Sequence, residues 1–240
     1  MPFTQTEMST STPLEAFHLS ESHMFYVGQL PAELVPDAAG FETLWAMHPL
    51  QYHEIKIHGR LVRTPRWQQA YGVDYHYTGR VNKALPVLPL LAPFLEWAQR
   101  SFNQRLNGLL LNWYDGALGH YIGRHRDSTV NIVVGAPIVT ISLGEERVFR
   151  LRPWRTNESN APSDFQASNG AVFVMPFETN LTWTHEVPAI RNRCGRRISV
   201  TIRAFKTGPG DERIPGKASE EDSRPWLPSP NSRVTREGLA

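Results

Sequence analysis

Apolar residues recur along this chain with two different periods, and the switch between them divides it. Leu90, Leu91, Phe94, Leu95, Ala98, Phe102 and Leu106 fall three or four apart. That spacing predicts an amphipathic helix over residues 90–106, with one face turned to a core. A shorter helix is expected over residues 41–47, after Pro and Gly punctuation. Further on, β-branched and aromatic runs take over at 137–143 (PIVTISL), 147–151 (RVFRL), 171–175 (AVFVM) and 197–205 (RISVTIRAF), separated by Gly, Asn and Pro. Helices first and short strands afterwards predict an α+β chain whose core is an antiparallel sandwich or jelly roll, buttressed by N-terminal helices. The strands do not alternate with helices and no glycine-rich phosphate loop is present, which argues against a parallel nucleotide-binding sheet.

The two ends differ from this middle. Residues 1–22 are rich in Ser and Thr, and residues 208–240 are polar with many Pro, Gly and charged positions. Both are expected to be disordered, because they offer little apolar surface to offset the entropy of ordering. One domain is expected over 23–207. The N-terminus lacks a basic stretch followed by an apolar run, and no apolar segment approaches membrane-spanning length. The single cysteine, Cys194, excludes an intramolecular disulfide and points to a reducing compartment. The expectation is a soluble monomer in the cytoplasm, or in the nucleus of a eukaryote. With 25 basic against 23 acidic residues, no gross charge excess calls for nucleic acid. Local basic clusters do occur, at Lys56, Arg60, Arg63 and Arg66, and at Arg124 and Arg126.

Candidate chemistry begins at His125-Arg126-Asp127. In an extended segment the first and third residues share a side, so His125 and Asp127 can present a ring nitrogen and a carboxylate oxygen to one ion. Such a triplet arises easily by chance; a third donor, His185, shortly after the 171–175 strand, strengthens it. Two histidines and one carboxylate on one face of an octahedron leave positions open for a cosubstrate and dioxygen, which suits iron(II). Zinc accepts the same donors, although no general base for hydrolysis is evident nearby.

The run 197–203 alternates strictly. Ile198, Val200 and Ile202 share one face, and Arg197, Ser199, Thr201 and Arg203 share the other. A solvated strand face would look the same. Two arginines six residues apart nevertheless stand roughly 20 Å apart along a strand. Their guanidinium forks suit the two ends of a short dicarboxylate such as 2-oxoglutarate.

Taken in order, Asn112-Trp113-Tyr114, His125-Arg126-Asp127, residues 137–144, His185 and Arg197 with Arg203 resemble the AlkB family of iron(II)- and 2-oxoglutarate-dependent dioxygenases, which repair alkylated nucleic-acid bases. The resemblance spans about residues 52–205. It implies a double-stranded β-helix fold, Fe(II), 2-oxoglutarate and O2 as cofactors, and His125, Asp127 and His185 as metal ligands and catalytic centre. Asn112, Tyr114, Arg197, Ser199 and Arg203 would hold 2-oxoglutarate, with Ser199 standing where the family often has Asn. Thr64-Pro65-Arg66, Tyr71-Gly72 and residues 75–79 resemble the nucleotide-recognition lid of the repair members, here residues 51–82. By that likeness Arg66, Tyr75, Tyr77, Arg126 and Thr129 would meet the substrate, with Tyr77 stacking on a flipped base. Thr129 replaces an acidic residue usual in repair members, and the segment between Tyr114 and His125 is slightly longer than theirs. The implied activity is oxidative demethylation of N-alkylated bases (1-methyladenine or 3-methylcytosine) in DNA or RNA. Two alternatives stay open: the same oxygenase chemistry on a protein, lipid or small molecule, and a non-catalytic nucleic-acid-binding sandwich.

Overall fold

A computed structural model describes residues 13–77, 80–154, 161–190, 195–207 and 233–235. Two strands open the chain, β1 (Leu14–His18) and β2 (Met24–Gln29), followed by helix α1 (Ala38–Trp45). Five short strands come next: β3 (Glu54–Ile57), β4 (Arg60–Arg63), β5 (Trp67–Tyr71), β6 (Tyr75–Tyr77) and β7 (Arg80–Asn82). Helix α2 (Ala92–Ser101) leads into β8 (Gly108–Asp115), β9 (Ile122–His125), β10 (Ile138–Gly144), β11 (Arg147–Pro153), β12 (Ser163–Ala167) and β13 (Ala171–Met175). Helix α3 (Phe177–Thr182), β14 (Trp183–Val187), β15 (Arg196–Arg203) and β16 (Arg233–Thr235) complete the order.

Eight strands form one sheet in the order β16-β1-β2-β13-β10-β15-β8-β5, and four form a second in the order β12-β11-β14-β9. The two face each other as a jelly roll, and β3-β4 and β6-β7 stand apart as separate hairpins. Every pairing is antiparallel except β1 with β16, which is parallel.

Burial explains the strand patterns. The large sheet is covered on both sides, so β10 and β15 are buried almost throughout. Its outer face, with Leu109, Leu111, Trp113, Ile141, Ile198 and Val200, packs against Leu44 and Trp45 of α1 and Phe94, Trp97 and Ala98 of α2. Its inner face meets the small sheet through Phe25, Tyr114, Phe149, Phe173 and Trp183. The polar positions of the 197–203 alternation therefore point between the sheets and away from solvent. Helix α1 starts on a capped turn, with the Asp37 carboxylate accepting from the Gly40 amide at 2.8 Å. The Trp113 indole N–H donates to the Leu44 carbonyl at 2.9 Å, tying that helix to β8.

Several expectations change. Helices do not lead the chain, because β1 and β2 come first and extend the large sheet through β13. Disorder over residues 1–22 does not hold for Leu14–His18, whose Leu14 and Ala16 are buried in the core. Residues 1–12 and most of 208–240 lie outside the described residues, while Arg233–Thr235 pairs with β1. The helix expected over 90–106 is shorter, Ala92–Ser101: Phe102 leaves helical geometry at φ −128°, although Leu106 still reaches the core. The helix expected over 41–47 starts three residues earlier, at Ala38. Among the described residues, no helix is long and apolar enough to cross a membrane.

Candidate metal and cosubstrate site

β9 and β14 are neighbours in the small sheet, and their register sets His125 directly opposite His185. Asp127, two residues beyond β9, is buried, and its Oδ1 lies 3.8 Å from His125 Nε2 and 3.9 Å from His185 Nε2. The three donor atoms lie within 4.8 Å of one another. Metal–ligand bonds of about 2.1 Å allow one ion to bridge separations up to about 4.2 Å, so both aspartate–histidine pairs can share it.

Neighbouring groups orient His125 and Asp127. His125 Nδ1 lies 2.9 Å from the Gly123 carbonyl, which can only accept, so the ring proton sits on Nδ1 and the Nε2 lone pair stays free. Arg203 donates through Nε at 2.9 Å and Nη2 at 2.7 Å to one oxygen of Asp127, Oδ2, leaving Oδ1 to face the histidines. Asn180 on α3 grips the Asp127 backbone from both sides: its Oδ1 accepts from the Asp127 amide at 3.0 Å and its Nδ2 donates to the Asp127 carbonyl at 3.1 Å.

Electrostatics work in the same direction. Burial, with His185 close by, pushes the His125 pKa down to about 3, and burial lowers that of His185 as well. Both rings are thus neutral near pH 7, the form that binds metal. For Asp127, burial alone would raise the pKa, but Arg203 and the two histidines outweigh it and hold the carboxyl below the usual carboxylate range.

A pocket of roughly 500 Å³, including its open mouth, lies between the sheets around these groups. The β8–β15 ladder brings Asn112 opposite Ser199 and Tyr114 opposite Arg197, and all four line the pocket with Arg203. Arg197 Nε donates to Ser142 Oγ at 2.8 Å, while its Nη1 and Nη2 are buried without a partner. The Tyr114 ring lies 5.1 Å from its guanidinium carbon. Burial lowers the Arg197 pKa to about 10, which still leaves the group charged at neutral pH. A buried cation with two unpartnered nitrogens, alongside a ligand set of two imidazoles and a carboxylate, fits an anionic chelating acid bound beside an iron(II) ion. Arg203 has a different part from Arg197. Two of its nitrogens are committed to Asp127 and only Nη1 is unpartnered, so the symmetric two-arginine clamp suggested by spacing is not what forms.

Tyr75, which is buried, and the half-buried Tyr77 stack at 5.9 Å in the pocket wall, and Tyr77 presents an edge-on contact to His125 at 6.0 Å. The Tyr75 hydroxyl is 3.4 Å from Asp127 Oδ1, a long hydrogen bond. Arg66 also lines the pocket; it is buried and donates through Nε to Asn112 Oδ1 at 2.8 Å, so it is not among the exposed cations of the lid. Arg126 and Thr129 do not line the pocket. The Arg126 guanidinium lies over Trp154 at 4.7 Å and donates to the Leu181 carbonyl, while the Thr129 carbonyl accepts from the Ile132 amide. Arg124 is likewise turned to protein, donating to Thr184 Oγ1 at 2.9 Å. Thr78 and Gly79 of the lid lie outside the described residues. Sequence reasoning missed Asn180 and Gln68, the latter lining the pocket from β5, since nothing local in the sequence marks either; Ser142 entered only as part of the 137–144 run, without a role of its own.

Similarity to known proteins agrees with this geometry. A family model for the 2OG-Fe(II) oxygenase superfamily matches residues 36–203. The chain belongs to that superfamily of iron(II)- and 2-oxoglutarate-dependent dioxygenases, which use Fe(II), 2-oxoglutarate and O2, and the relatives it matches are of the AlkB type. It is 27% identical over 158 residues to the DNA oxidative demethylase ALKBH2 of Homo sapiens, covering 62% of this chain and 60% of that protein. The Bos taurus protein of the same name is 27% identical over 157 residues, with 62% and 56% covered, and that of Mus musculus is 29% identical over 161 residues, with 62% and 66% covered. The chain therefore aligns with somewhat over half the length of these relatives. A solved structure titled "The structure of OsALKBH1" superimposes with a TM-score of 0.52 at 12% identity, covering 75% of this chain and 97% of the other, and shares the fold.

Proposed function

We propose that this chain oxidatively demethylates N-alkylated bases in DNA or RNA, with His125, Asp127 and His185 holding iron and Arg197 holding 2-oxoglutarate. The observation that carries the reading is one pocket lined by a neutral histidine pair, an ionised aspartate, an arginine with two unpartnered nitrogens and two stacked tyrosines. When bound, the iron with 2-oxoglutarate and O2 supplies the oxidising power that hydroxylates an N-methyl group, which leaves as formaldehyde.

The protein's own residues bind and orient. Arg203 fixes Asp127 as a ligand through one oxygen, and the Gly123 carbonyl fixes the His125 tautomer. Arg197, with Asn112, Tyr114 and Ser199 around it, provides a charged, hydrogen-bonding recess for a carboxylate. Tyr77 offers an aromatic surface to a base drawn out of its stack, with Tyr75 behind it. Arg66 acts from beneath the site by steadying Asn112. The exposed Lys56, Arg60 and Arg63 of the β3-β4 hairpin supply positive charge outside the mouth for the phosphate backbone.

The test is to incubate the full chain with iron(II), 2-oxoglutarate and oligonucleotides carrying 1-methyladenine or 3-methylcytosine, and to follow loss of the methyl mass together with succinate. Methyl loss matched by succinate is expected. Succinate without loss from any oligonucleotide favours a protein or small-molecule substrate, a reading that Thr129 and its place away from the pocket keep in play.

A further inference from the structure

Gln68 lines the pocket from β5 and is 4% exposed, yet its amide forms no hydrogen bond with another described residue. β5 is the edge strand of the large sheet. The ladders set Gln68 opposite Asn112, Asn112 opposite Ser199 and Ser199 opposite Ser142, so one row crosses four strands. Ser142 anchors Arg197 at the other end of that row, three strand spacings or about 14 Å from Gln68. Gln68 therefore stands away from the cosubstrate's arginine and beside the lid. Asn82 of β7 accepts from the Ala70 amide at 3.0 Å, and Gln69 Nε2 donates to the Lys83 carbonyl at 2.8 Å. Both bonds tie the β6-β7 hairpin, which carries Tyr75 and Tyr77, to the free edge of β5. A base drawn in against the tyrosines enters on the Gln68 side.

The charge of the pocket is one-sided. Arg66, Arg197 and Arg203 line it, and Asp127 is the one acid among the described lining residues, so three positive groups face one negative. Asp127 is itself committed to Arg203. His125 and His185 are neutral, and burial raises the Tyr75 and Tyr77 pKa values, which keeps both phenols neutral as well. A divalent iron and a dianionic cosubstrate cancel each other and leave this balance unchanged. A cationic base would enter a buried, net positive site with no carboxylate free to pair with it, which is unfavourable. A neutral base carries no such penalty, and the Gln68 amide can donate to a carbonyl on its edge.

We propose that this pocket selects neutral N-methylated oxo-bases, of the 3-methylthymine or 1-methylguanine kind, over cationic ones, with Gln68 donating to the base carbonyl as a specificity-determining residue. The inference rests on the demethylase reading above. It is a difference of degree, so 1-methyladenine and 3-methylcytosine remain substrates and are the weaker ones.

3-Methylthymine and 3-methylcytosine form a matched pair. Both are pyrimidines methylated at N3, but methylation leaves thymine neutral with a carbonyl at C4 and makes cytosine a cation with an amine there. The test measures binding of single-stranded oligodeoxynucleotides carrying either base to the full-length protein, loaded with Ni(II) and 2-oxoglutarate without oxygen. Wild-type protein is expected to hold 3-methylthymine on the order of 10-fold more tightly. Gln68→Glu places a carboxylate at the same position and is expected to move the ratio about 10- to 100-fold toward 3-methylcytosine. Gln68→Met removes the amide at similar volume and is expected to weaken 3-methylthymine about 3- to 10-fold, with 3-methylcytosine changed less; it also serves if the Glu variant does not fold. Equal or tighter wild-type binding of 3-methylcytosine overturns the charge selection, and a ratio unmoved in both variants overturns the part given to Gln68. Wild-type protein that holds neither methylated oligonucleotide more tightly than the unmethylated one overturns the demethylase reading itself.

Discussion

The two sheets of this sandwich supply opposite kinds of group to one pocket, by ladders of unlike quality. The large sheet contributes Arg197, Ser199 and Arg203 from β15 and Asn112 and Tyr114 from β8, on a ladder unbroken over eight residue pairs from Arg196↔Asp115 to Arg203↔Gly108. The small sheet contributes two neutral histidines from β9 and β14, whose register shifts between His185 and Val187. An unbroken ladder buried on both faces holds charges firmly, because a slip of one residue would turn every arginine into the apolar layer beneath the helices. The short, irregular ladder instead sets one residue against another, which is all a metal needs. Asp127 belongs to neither sheet and joins them: Arg203 holds it from the large side and Asn180 locks its backbone.

The largest effect should come from the small sheet. His125→Ala or Asp127→Ala is expected to lower 2-oxoglutarate turnover by more than about 1,000-fold, since the oxidation requires the metal. Succinate release measured at saturating iron checks this, and near-wild-type turnover in either variant would remove the ligand assignment. From the other side, Arg203→Met leaves Asp127 buried without its cation. The expected cost is about 3–5 kcal/mol of folding stability, read by chemical unfolding, together with weaker metal binding. If Arg203→Met lost metal binding but no stability, Asp127 would be held by Asn180 of α3 and not by the large sheet.

How much of this was legible in the sequence follows the same division. The 197–203 alternation exposed which side chains share a face, because a regular strand keeps period two; it could not show that the polar face is buried, which depends on a second sheet arriving from residues 122–187. His125 and Asp127 were legible as neighbours on one side of an extended segment, and His185 only as a nearby candidate. The small sheet's irregular register leaves no periodic trace. β1 and β2 were overlooked because LEAFH and MFYVGQ are short and follow a Ser/Thr-rich stretch, so local composition outweighed a pairing that burial in the large sheet decides. Arg66 read as a lid cation and is in fact buried against Asn112, a contact spanning 46 residues. Contacts of that length, like those of Asn180 with Asp127, have no local signature.

Arg197 sharpens the charge side of the comparison. Arg197→Lys keeps the charge but loses the fork, and is expected to weaken 2-oxoglutarate about 10- to 100-fold while leaving turnover at saturation largely intact. In the pocket wall, Tyr77→Ala is expected to lower kcat/KM for a methylated oligonucleotide by the ~1–3 kcal/mol of one lost base–aromatic contact. Tyr77→Phe keeps the ring and should behave like wild type. A loss in both variants would point to the hydroxyl rather than to stacking.

The smallest effect concerns the small sheet's neutrality, and its sign follows from burial. Above pH 6.5 His125 is neutral whether the chain is folded or unfolded, so it contributes nothing to the pH dependence of stability. Below that, the unfolded chain takes up a proton that the folded chain, with a His125 pKa of about 3, refuses. Stability therefore falls as the pH drops from 6.5 toward 3. At pH 5.5 the difference is one unit, or about 1.4 kcal/mol, which for a chain of this size lowers Tm by about 3–6 °C. Thermal unfolding of metal-free protein at pH 7.5 and 5.5 measures it, and His125→Asn, which cannot take up the proton, should narrow the gap between the two values. The Arg203–Asp127 pair of the large-sheet side stays charged throughout this window, because the Asp127 carboxyl is held below the usual carboxylate range and Arg203 above the ordinary arginine value. A pH response that survives unchanged in His125→Asn would mean that the acid sensitivity arises elsewhere than at His125, with His185, whose pKa burial also lowers, next to be tested.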